Sequence, residues 1–431
     1  MSLLNYLYFL ILTCLAISFL FSNGKSIRSP FNKEQDLKFN GPELFWVLTF
    51  STGIIALQAT GTLDLMAIRL LVLEALCIIG IFVCKDKPII TLPLVIYFVY
   101  LLWITIGCFY SPSPGYGIRV ILKYIYPLVL CLFASAAVRY SEVMIKSALL
   151  ARTFAFVSII FGFVPLIGHL IPGVFWYSTA LAINYISIMI FSLALFYFSN
   201  EKKKNIIYFG IFMLPCFLWV FRTSIMGSLV ALMAFFFIRY KIRSLPIIAT
   251  IIVLGVVAVF SIPSLRNKMF KKEATGISIE NFQDGKIGMD EVNTNAREAM
   301  WKDLKHRFYK DHEIIGSGTG TVQSYMYNNH VFGGLKATHS DYVQMLCDNG
   351  IIGLSIYSII VALIFLHCLQ IYSIRQNPAP LKLCALVAGA SIVGVFATFY
   401  SDNVVNYSMA TLSMPFGFYG MTLGLQETQR A

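Results

Sequence analysis

Arg297 is a basic residue placed where a charge is costly unless it has a partner. Trp301 and Leu304 follow it at i+4 and i+7, which puts Arg297 on the apolar stripe of a predicted helix, in its first turn. The macrodipole disfavours a cation there, and on the buried side a guanidinium needs an anionic partner. Arg297 therefore either pairs with a loop carboxylate, such as Glu291 or Asp303, or binds an anion. Phosphate suits its bidentate geometry.

A histidine heads a second predicted helix. Thr338 with Asp341 three residues later has the form of a capping box, which predicts His339 as the first helical residue. A helix N-terminus disfavours the imidazolium, so we expect a neutral ring near pH 7 that can accept a proton. His339 is therefore either a structural histidine bonded to a backbone carbonyl or a general base.

Five further polar residues complete the set of candidates. Arg222 interrupts the apolar run LPCFLWVFRTSIMGSLVALM, where it either marks a helix end or forms part of a site. Arg119 and Lys123 share one helix face at i,i+4, and Asp402 lies between the last two apolar runs. Tyr342 follows the histidine by one turn on the same predicted face. The first is a candidate for catalysis, and the other four are candidates for substrate binding.

These residue types suit one kind of chemistry. Arginines stabilise the charge that develops on a departing phosphate, and neutral imidazole removes a proton from a hydroxyl. The combination fits an anionic, lipid-linked substrate with a diphosphate leaving group. A metal-dependent alternative would use Asp311 and Glu313, which flank His312. Loop acids usually face solvent, so we expect neither a metal nor another cofactor.

Composition indicates the elements that must position these residues. The 431 residues are 58% hydrophobic and only 13% charged, whereas soluble domains carry about 25% charged residues. Apolar runs long enough to span a bilayer recur throughout, and we expect an all-α polytopic membrane protein. Thirteen spans are predicted, at 3–21, 44–61, 63–83, 89–110, 120–138, 148–171, 178–198, 206–221, 223–238, 245–262, 350–372, 383–400 and 409–425. Either of the pairs 44–83 and 206–238 could instead be one span with a re-entrant piece, which makes the count about 12–13.

Alternating charge in the short loops predicts the orientation. Sixteen Lys and Arg residues fall in one alternate set of loops, which we assign to the cytoplasm, and the other set holds three. The net charge of +12 therefore reflects topology, and no motif supports nucleic-acid binding. All nine cysteines lie in or beside apolar runs, without a disulfide framework or CxxC pair. The first span has no Lys or Arg before it and no small-residue cleavage site after it, so a cleaved signal peptide is not expected.

The long segment 263–349 then lies outside the membrane, and it divides the chain into bundle 1–262, loop 263–349 and C-terminal spans 350–431. The loop holds eleven basic and eleven acidic residues, so it is neutral overall. Asn295 and Glu298 form a second predicted capping box, at the start of the Arg297 helix. The stretch GSGTG, at 316–320, lacks the spacing and context of a nucleotide-binding loop, and we interpret it as a turn.

The order of these motifs resembles the O-antigen ligase/polymerase family. It combines Arg222 at an outer turn, AREAMW in the long loop, GSGTG, and the pattern HSxYxxxLxxxGxxG from His339 to Gly353. The resemblance covers about 206–372, and before that the chain matches only in hydropathy. Family members commonly have about twelve spans with both ends cytoplasmic, whereas our count gives thirteen and an external N-terminus.

The resemblance implies a metal-independent, inverting glycosyltransferase of the GT-C type in the bacterial inner membrane. Its donor would be a glycan on undecaprenyl diphosphate, and its acceptor a sugar hydroxyl of a glycolipid or lipid-linked glycan at the periplasmic face. By motif, Arg222 and Arg297 would bind the diphosphate and His339 would be the base. Membrane lipids are the other expected partners.

Two activities within the family share this layout. A ligase passes the finished polymer to lipid A–core, which the histidine motif favours here. A polymerase, for O-antigen, capsule or exopolysaccharide, extends another lipid-linked unit. The alternative from a different class is a transporter or flippase for lipid-linked sugars. Against it, the chain has no two-fold hydropathy repeat, and its charged candidates cluster on one side of the membrane.

Overall fold

The computed structural model describes residues 41–53, 65–163, 179–218, 222–270, 297–329 and 335–429. The predicted first span 3–21, the cap residue Asn295 and the polar stretch 271–296 lie outside these residues. The regular elements of the described part are helical. In chain order the α-helices are α1 Gly41–Gly53, α2 Leu65–Val83, α3 Leu92–Phe109, α4 Pro114–Ala137, α5 Ser141–Phe163, α6 Thr179–Phe198, α7 Lys202–Leu218, α8 Arg222–Tyr240, α9 Leu245–Ser261, α10 Pro263–Met269, α11 Arg297–Phe308, α12 Thr321–Asn329, α13 Asp341–Ser373, α14 Ala379–Thr398, α15 Ser408–Thr411 and α16 Ser413–Glu427.

Five helical stretches of the described part are long and apolar enough to cross a membrane. They are α3, α4, the α8–α9 stretch Arg222–Ser261, α13 and α14. The predicted all-α polytopic membrane fold is confirmed, while the count of 12–13 spans and the GT-C type stay predictions. The uncertain pairs each form two described helices, α1 with α2 and α7 with α8.

Helix α14 is the centre of the bundle. It packs against α6, α8, α13 and α16, and most of its residues are buried. Gly227 of α8 and Gly394 of α14 face each other so closely that a Cβ on either would strike the opposite backbone. Small residues of this kind let membrane helices approach. The contact brings the first residues of α8, including Arg222, to the outer end of α14.

The outer segment, residues 297–329, folds as a small helical cap on α13. Met300 and Leu304 of α11 pack with Val322 and Met326 of α12 and with Cys347 of α13, in a second apolar cluster apart from the bundle core. The predicted loop is therefore partly helical, as expected. Its division from the bundle as a separate unit stays a prediction.

The glycine turn, residues 316–320, fastens this cap to the bundle. Gly316, Gly318 and Gly320 all have positive φ, between 78° and 103°, so the prediction of a turn is confirmed. The Gly320 amide and the Val322 amide donate to the two carboxylate oxygens of Asp348, at 3.0 and 2.9 Å. These bonds satisfy amides at the start of α12, which would otherwise lack partners.

Candidate active site

His339 lies just before α13, in an unusual backbone conformation. Its φ is 50°, in the left-handed region, and α13 begins two residues later at Asp341. The helix is capped by Ser340, whose hydroxyl accepts from the Val343 amide at 3.2 Å. The predicted Thr338 cap with His339 as first helical residue is wrong. The Thr338 hydroxyl instead donates to Asn403 Oδ1 at 2.9 Å, a tertiary bond that replaces the local one.

Neighbouring bonds hold this strained backbone in place. A left-handed conformation at a residue other than glycine costs about 1–3 kcal/mol and persists only where the surroundings impose it. Trp301 Nε1 donates to the Thr338 carbonyl at 2.8 Å, and the Ser340 hydroxyl donates to the Phe399 carbonyl at 3.4 Å. The direction of the His339 side chain is thus set from both sides, by α11 and by the end of α14.

Arg297 stands in the first turn of α11, as predicted, and is half-buried. Its Nη1 donates to the Ser401 carbonyl at 2.8 Å. Burial lowers the pKa of Arg297, and the nearby Asp402 carboxylate opposes that effect. Of the two pairing partners considered from the sequence, Asp303 is bonded to Arg307 at 2.8 Å and Glu291 lies outside the described residues.

Arg222 opens α8 at the same place. Thr223, the next residue, places its hydroxyl 2.8 Å from the hydroxyl of Ser401. Arg222 is close enough to Arg297 for the two positive charges to repel each other. Two segments far apart in sequence, each carrying an arginine, therefore come together at the turn that follows α14.

Electrostatics complete the site. Burial first, and the Arg297 charge second, lower the pKa of His339 from 6.5 to about 4. The ring is therefore neutral at pH 7, as predicted. The predicted cause was the N-terminus of a helix starting at His339, but α13 begins two residues later, at Asp341. Arg297 thus lies within electrostatic reach of both Arg222 and His339.

The four predicted substrate-binding residues have different surroundings. Asp402 is buried beside Arg297, and its Oδ1 accepts from the Asn403 amide at 2.8 Å. Lys123 donates to Asn406 Oδ1 at 2.6 Å and lines a cavity wide enough for about one water molecule. A substrate role remains a prediction for both.

The other two lie in contacts of their own. The Tyr342 hydroxyl donates to the Phe396 carbonyl at 2.8 Å, and its ring packs edge-on against Phe396. The Arg119 guanidinium is exposed and lies 5.3 Å from the centre of the Tyr116 ring. These contacts supply packing roles and no argument for substrate binding, which stays a prediction for Tyr342 and Arg119.

Sequence reasoning missed three short polar residues that join the site together: Thr223, Ser401 and Asn403. Each is hydrogen-bonded to a segment that carries a candidate group. The available signal was composition, since SDNVVNYS is a polar stretch between two apolar helices. That signal locates a turn but does not identify its partners, which come from α8, α11 and the segment before α13.

A metal site would need a group of side chains able to ligate an ion. Within the described ranges, no three or more His, Cys, Asp or Glu side chains are grouped so that they could hold a metal ion. Asp311, His312 and Glu313 are exposed on the surface between α11 and the glycine turn.

Comparison with known proteins gives a family match. Residues 207–358 match the sequence model of a family described as O-antigen ligase, a stretch that contains Arg222, Arg297 and His339. The match ends before the turn that bears Ser401. A search of curated proteins finds no match. The resemblance predicted from the motifs is thus confirmed over residues 207–358, which match the O-antigen ligase family.

Proposed function

We propose that the protein transfers a glycan from undecaprenyl diphosphate to a sugar hydroxyl at the periplasmic face, with lipid A–core as acceptor. The observation that carries this proposal is the position of Arg297, a half-buried cation beside both Arg222 and His339. The charges of Arg222 and Arg297 repel each other in the empty protein, and the Asp402 carboxylate beside Arg297 offsets part of that repulsion. A bound diphosphate would offset more of it, because its charge is opposite to that of both arginines.

The chemical step follows from these groups. His339 takes the proton from the acceptor hydroxyl, and the resulting oxygen nucleophile attacks the anomeric carbon of the donor. The bond from that carbon to the diphosphate oxygen breaks, and its electron pair leaves with the diphosphate. Arg222 and Arg297 stabilise the departing charge, which is the task that metal ions perform in other transferases. A single in-line displacement of this kind inverts the anomeric configuration.

Substrate binding and base strength are linked in this scheme. With a pKa of about 4, His339 is neutral but a poor base at pH 7. A bound diphosphate cancels the nearby positive charge of Arg297 and so raises the pKa of His339. The base therefore becomes stronger when the donor is in place. The proposed orientation, with the site on the periplasmic side of the inner membrane, rests on the alternation of basic loops.

The test is glycan transfer by the purified chain, with an undecaprenyl-diphosphate glycan donor and two acceptors, lipid A–core and a second lipid-linked unit. His339→Ala, Arg222→Ala and Arg297→Ala are compared with two controls. Arg307→Ala removes an exposed arginine from the same helix as Arg297, and His312→Ala removes an exposed histidine from the same outer segment. We expect the three site variants to lose transfer and both controls to keep it.

Each result has a defined meaning. Transfer only between lipid-linked units would make the protein a polymerase with the same chemistry. Unchanged transfer by His339→Ala would show that the histidine is structural. No transfer by folded wild-type protein, with flipping of the lipid-linked sugar instead, would favour the transporter. Activity lost in EDTA and restored by Mg²⁺ or Mn²⁺ would contradict the metal-independent mechanism.

A further inference from the structure

The outer turn, residues 399–404, follows α14 and contacts the segments that carry Arg222, Arg297 and His339. Within it, Ser401 makes two bonds through two different atoms. Its carbonyl oxygen accepts from Arg297 Nη1, and its hydroxyl pairs with the hydroxyl of Thr223, both at 2.8 Å. Since Thr223 directly follows Arg222, a single residue is bonded to the segments of both arginines.

The two bonds have different consequences for an anion site. A guanidinium carries five N–H donors in a rigid plane, so holding one against a carbonyl orients the others. The hydroxyl pair fixes the start of α8 relative to the outer turn, and with it the backbone of Arg222. The carbonyl bond thus sets the direction of one arginine, while the hydroxyl bond sets its distance from the other.

We infer that Ser401 is a positioning residue, which sets the separation of the two arginines to suit the two phosphates of a lipid diphosphate. The inference rests on the proposed function. It specifies that Ser401 acts on donor binding and not on the base. The backbone next to His339 is held through other bonds. Trp301 Nε1 donates to the Thr338 carbonyl, and the Thr338 hydroxyl donates to Asn403 Oδ1.

Removal of the hydroxyl separates this role from general stability. Ser401→Ala keeps the carbonyl and leaves the Thr223 hydroxyl without its partner. We expect about 3–10-fold weaker donor binding, the scale of one hydrogen bond, and the same loss for Thr223→Val. The double variant should bind no more weakly than either single variant, because both remove the same link. Ser401→Thr retains a hydroxyl and should bind as the wild type does.

The experiment measures equilibrium binding of labelled undecaprenyl diphosphate to the full chain in nanodiscs, with the melting temperature of each variant. Ser147→Ala is the control, because Ser147 is a buried serine whose hydroxyl donates to the Val143 carbonyl within its own helix. In transfer assays, we expect Ser401→Ala to raise the donor KM, leave kcat at saturation unchanged, and leave the acidic limb of the pH profile in place.

Two results would overturn the inference, and they are distinguishable. If Arg297→Ala abolishes binding while Ser401→Ala binds as wild type, the proposed function stands and the role of Ser401 is wrong. If Arg297→Ala also binds as wild type, the proposed function falls and the inference falls with it. Should Ser401→Ala fold poorly, Thr223→Val decides the outcome through the same binding measurement.

Discussion

The glycine turn and the outer turn both pack on the first turns of α13, yet their polar groups are used differently. At the glycine turn, donors and acceptors satisfy one another. The Thr319 hydroxyl, with one proton to donate, lies 2.7 Å from the Ile104 carbonyl oxygen and 2.8 Å from Asn349 Oδ1. The Asp348 carboxylate accepts two amides. At the outer turn, Arg222 and Arg297 are close enough for their positive charges to repel each other, and the Asp402 carboxylate lies beside Arg297.

The difference indicates that the glycine turn is a structural contact and that the outer turn is part of a binding site. Polar groups whose donors and acceptors pair with one another lower the free energy of the protein and need no ligand. Like charges in a half-buried position raise it, and natural proteins keep such arrangements where a function requires them. The glycines of GSGTG are prominent in the sequence, but in the structure their positive φ angles belong to the structural contact. The site is marked by a histidine with positive φ and by crowded arginines.

The largest expected effect is at the outer turn. His339→Ala removes the proposed base, and loss of a general base typically slows the chemical step about 10²–10⁴-fold. We expect kcat for glycan transfer to fall in that range while undecaprenyl diphosphate still binds. Single-turnover transfer at saturating donor measures this. A decrease of less than about tenfold would contradict the assignment.

The glycine turn should respond through stability. In Gly316→Ala, the added Cβ would meet the backbone carbonyl of Asp348, at a residue whose φ is 78°. Strain and clash together should cost about 2–4 kcal/mol in the free energy of unfolding. Gly210→Ala is the control, because its Cβ would have open space within a helix. Thermal melting in detergent compares the two, and an equal melting temperature would show that the turn is not a fastening.

The pH dependence tests the charge of the base. Because the pKa of His339 is lowered to about 4, the imidazole is neutral above that value and protonated below it. We expect kcat/KM for the donor, which reports the free enzyme, to stay level as the pH falls from 7 to 5 and to drop near pH 4. Titration of His339 by NMR in Arg297→Gln should give a higher pKa, since a repelling charge is removed. An acidic limb near pH 6.5 would contradict this account.

A smaller effect is expected for Asp348→Asn. The asparagine side chain can accept through one oxygen only, so one of the two amide bonds at the start of α12 is lost. We expect a loss of about 1 kcal/mol in stability and little change in transfer by the folded protein. Thermal melting and a transfer assay at low temperature measure the two quantities. A large loss of transfer without loss of stability would move Asp348 into the site.

The smallest effect is expected for Arg307→Ala. Its ion pair with Asp303 is exposed and spans i,i+4 on α11, and such exposed pairs contribute little to stability. Transfer should stay within about twofold of wild type, a spread that corresponds to less than 0.5 kcal/mol. A large decrease would mean that α11 presents more than Arg297 to the substrate.

The sequence was sufficient for features that local chemistry decides. Span length and hydropathy predicted the polytopic fold, and the apolar stripe placed Arg297 in the first turn of α11. His339 was placed wrongly because Thr338 and Ser340 are both good cap residues, and only a bond to Asn403, 65 residues away, decides between them. The Gly227–Gly394 contact and the bonds of Ser401 were not predictable, since hydropathy carries no information on which helices meet.

The most direct test of the account is the pKa of His339, measured by NMR on histidine-labelled protein with and without undecaprenyl diphosphate. The account places Arg297 and the diphosphate beside this ring, so the pKa of His339 should rise above about 4 when the lipid binds. That result would show that donor and base share one site. If saturating diphosphate lipid leaves the pKa of His339 unchanged, the arginines do not hold the donor next to the base, and the central claim is wrong.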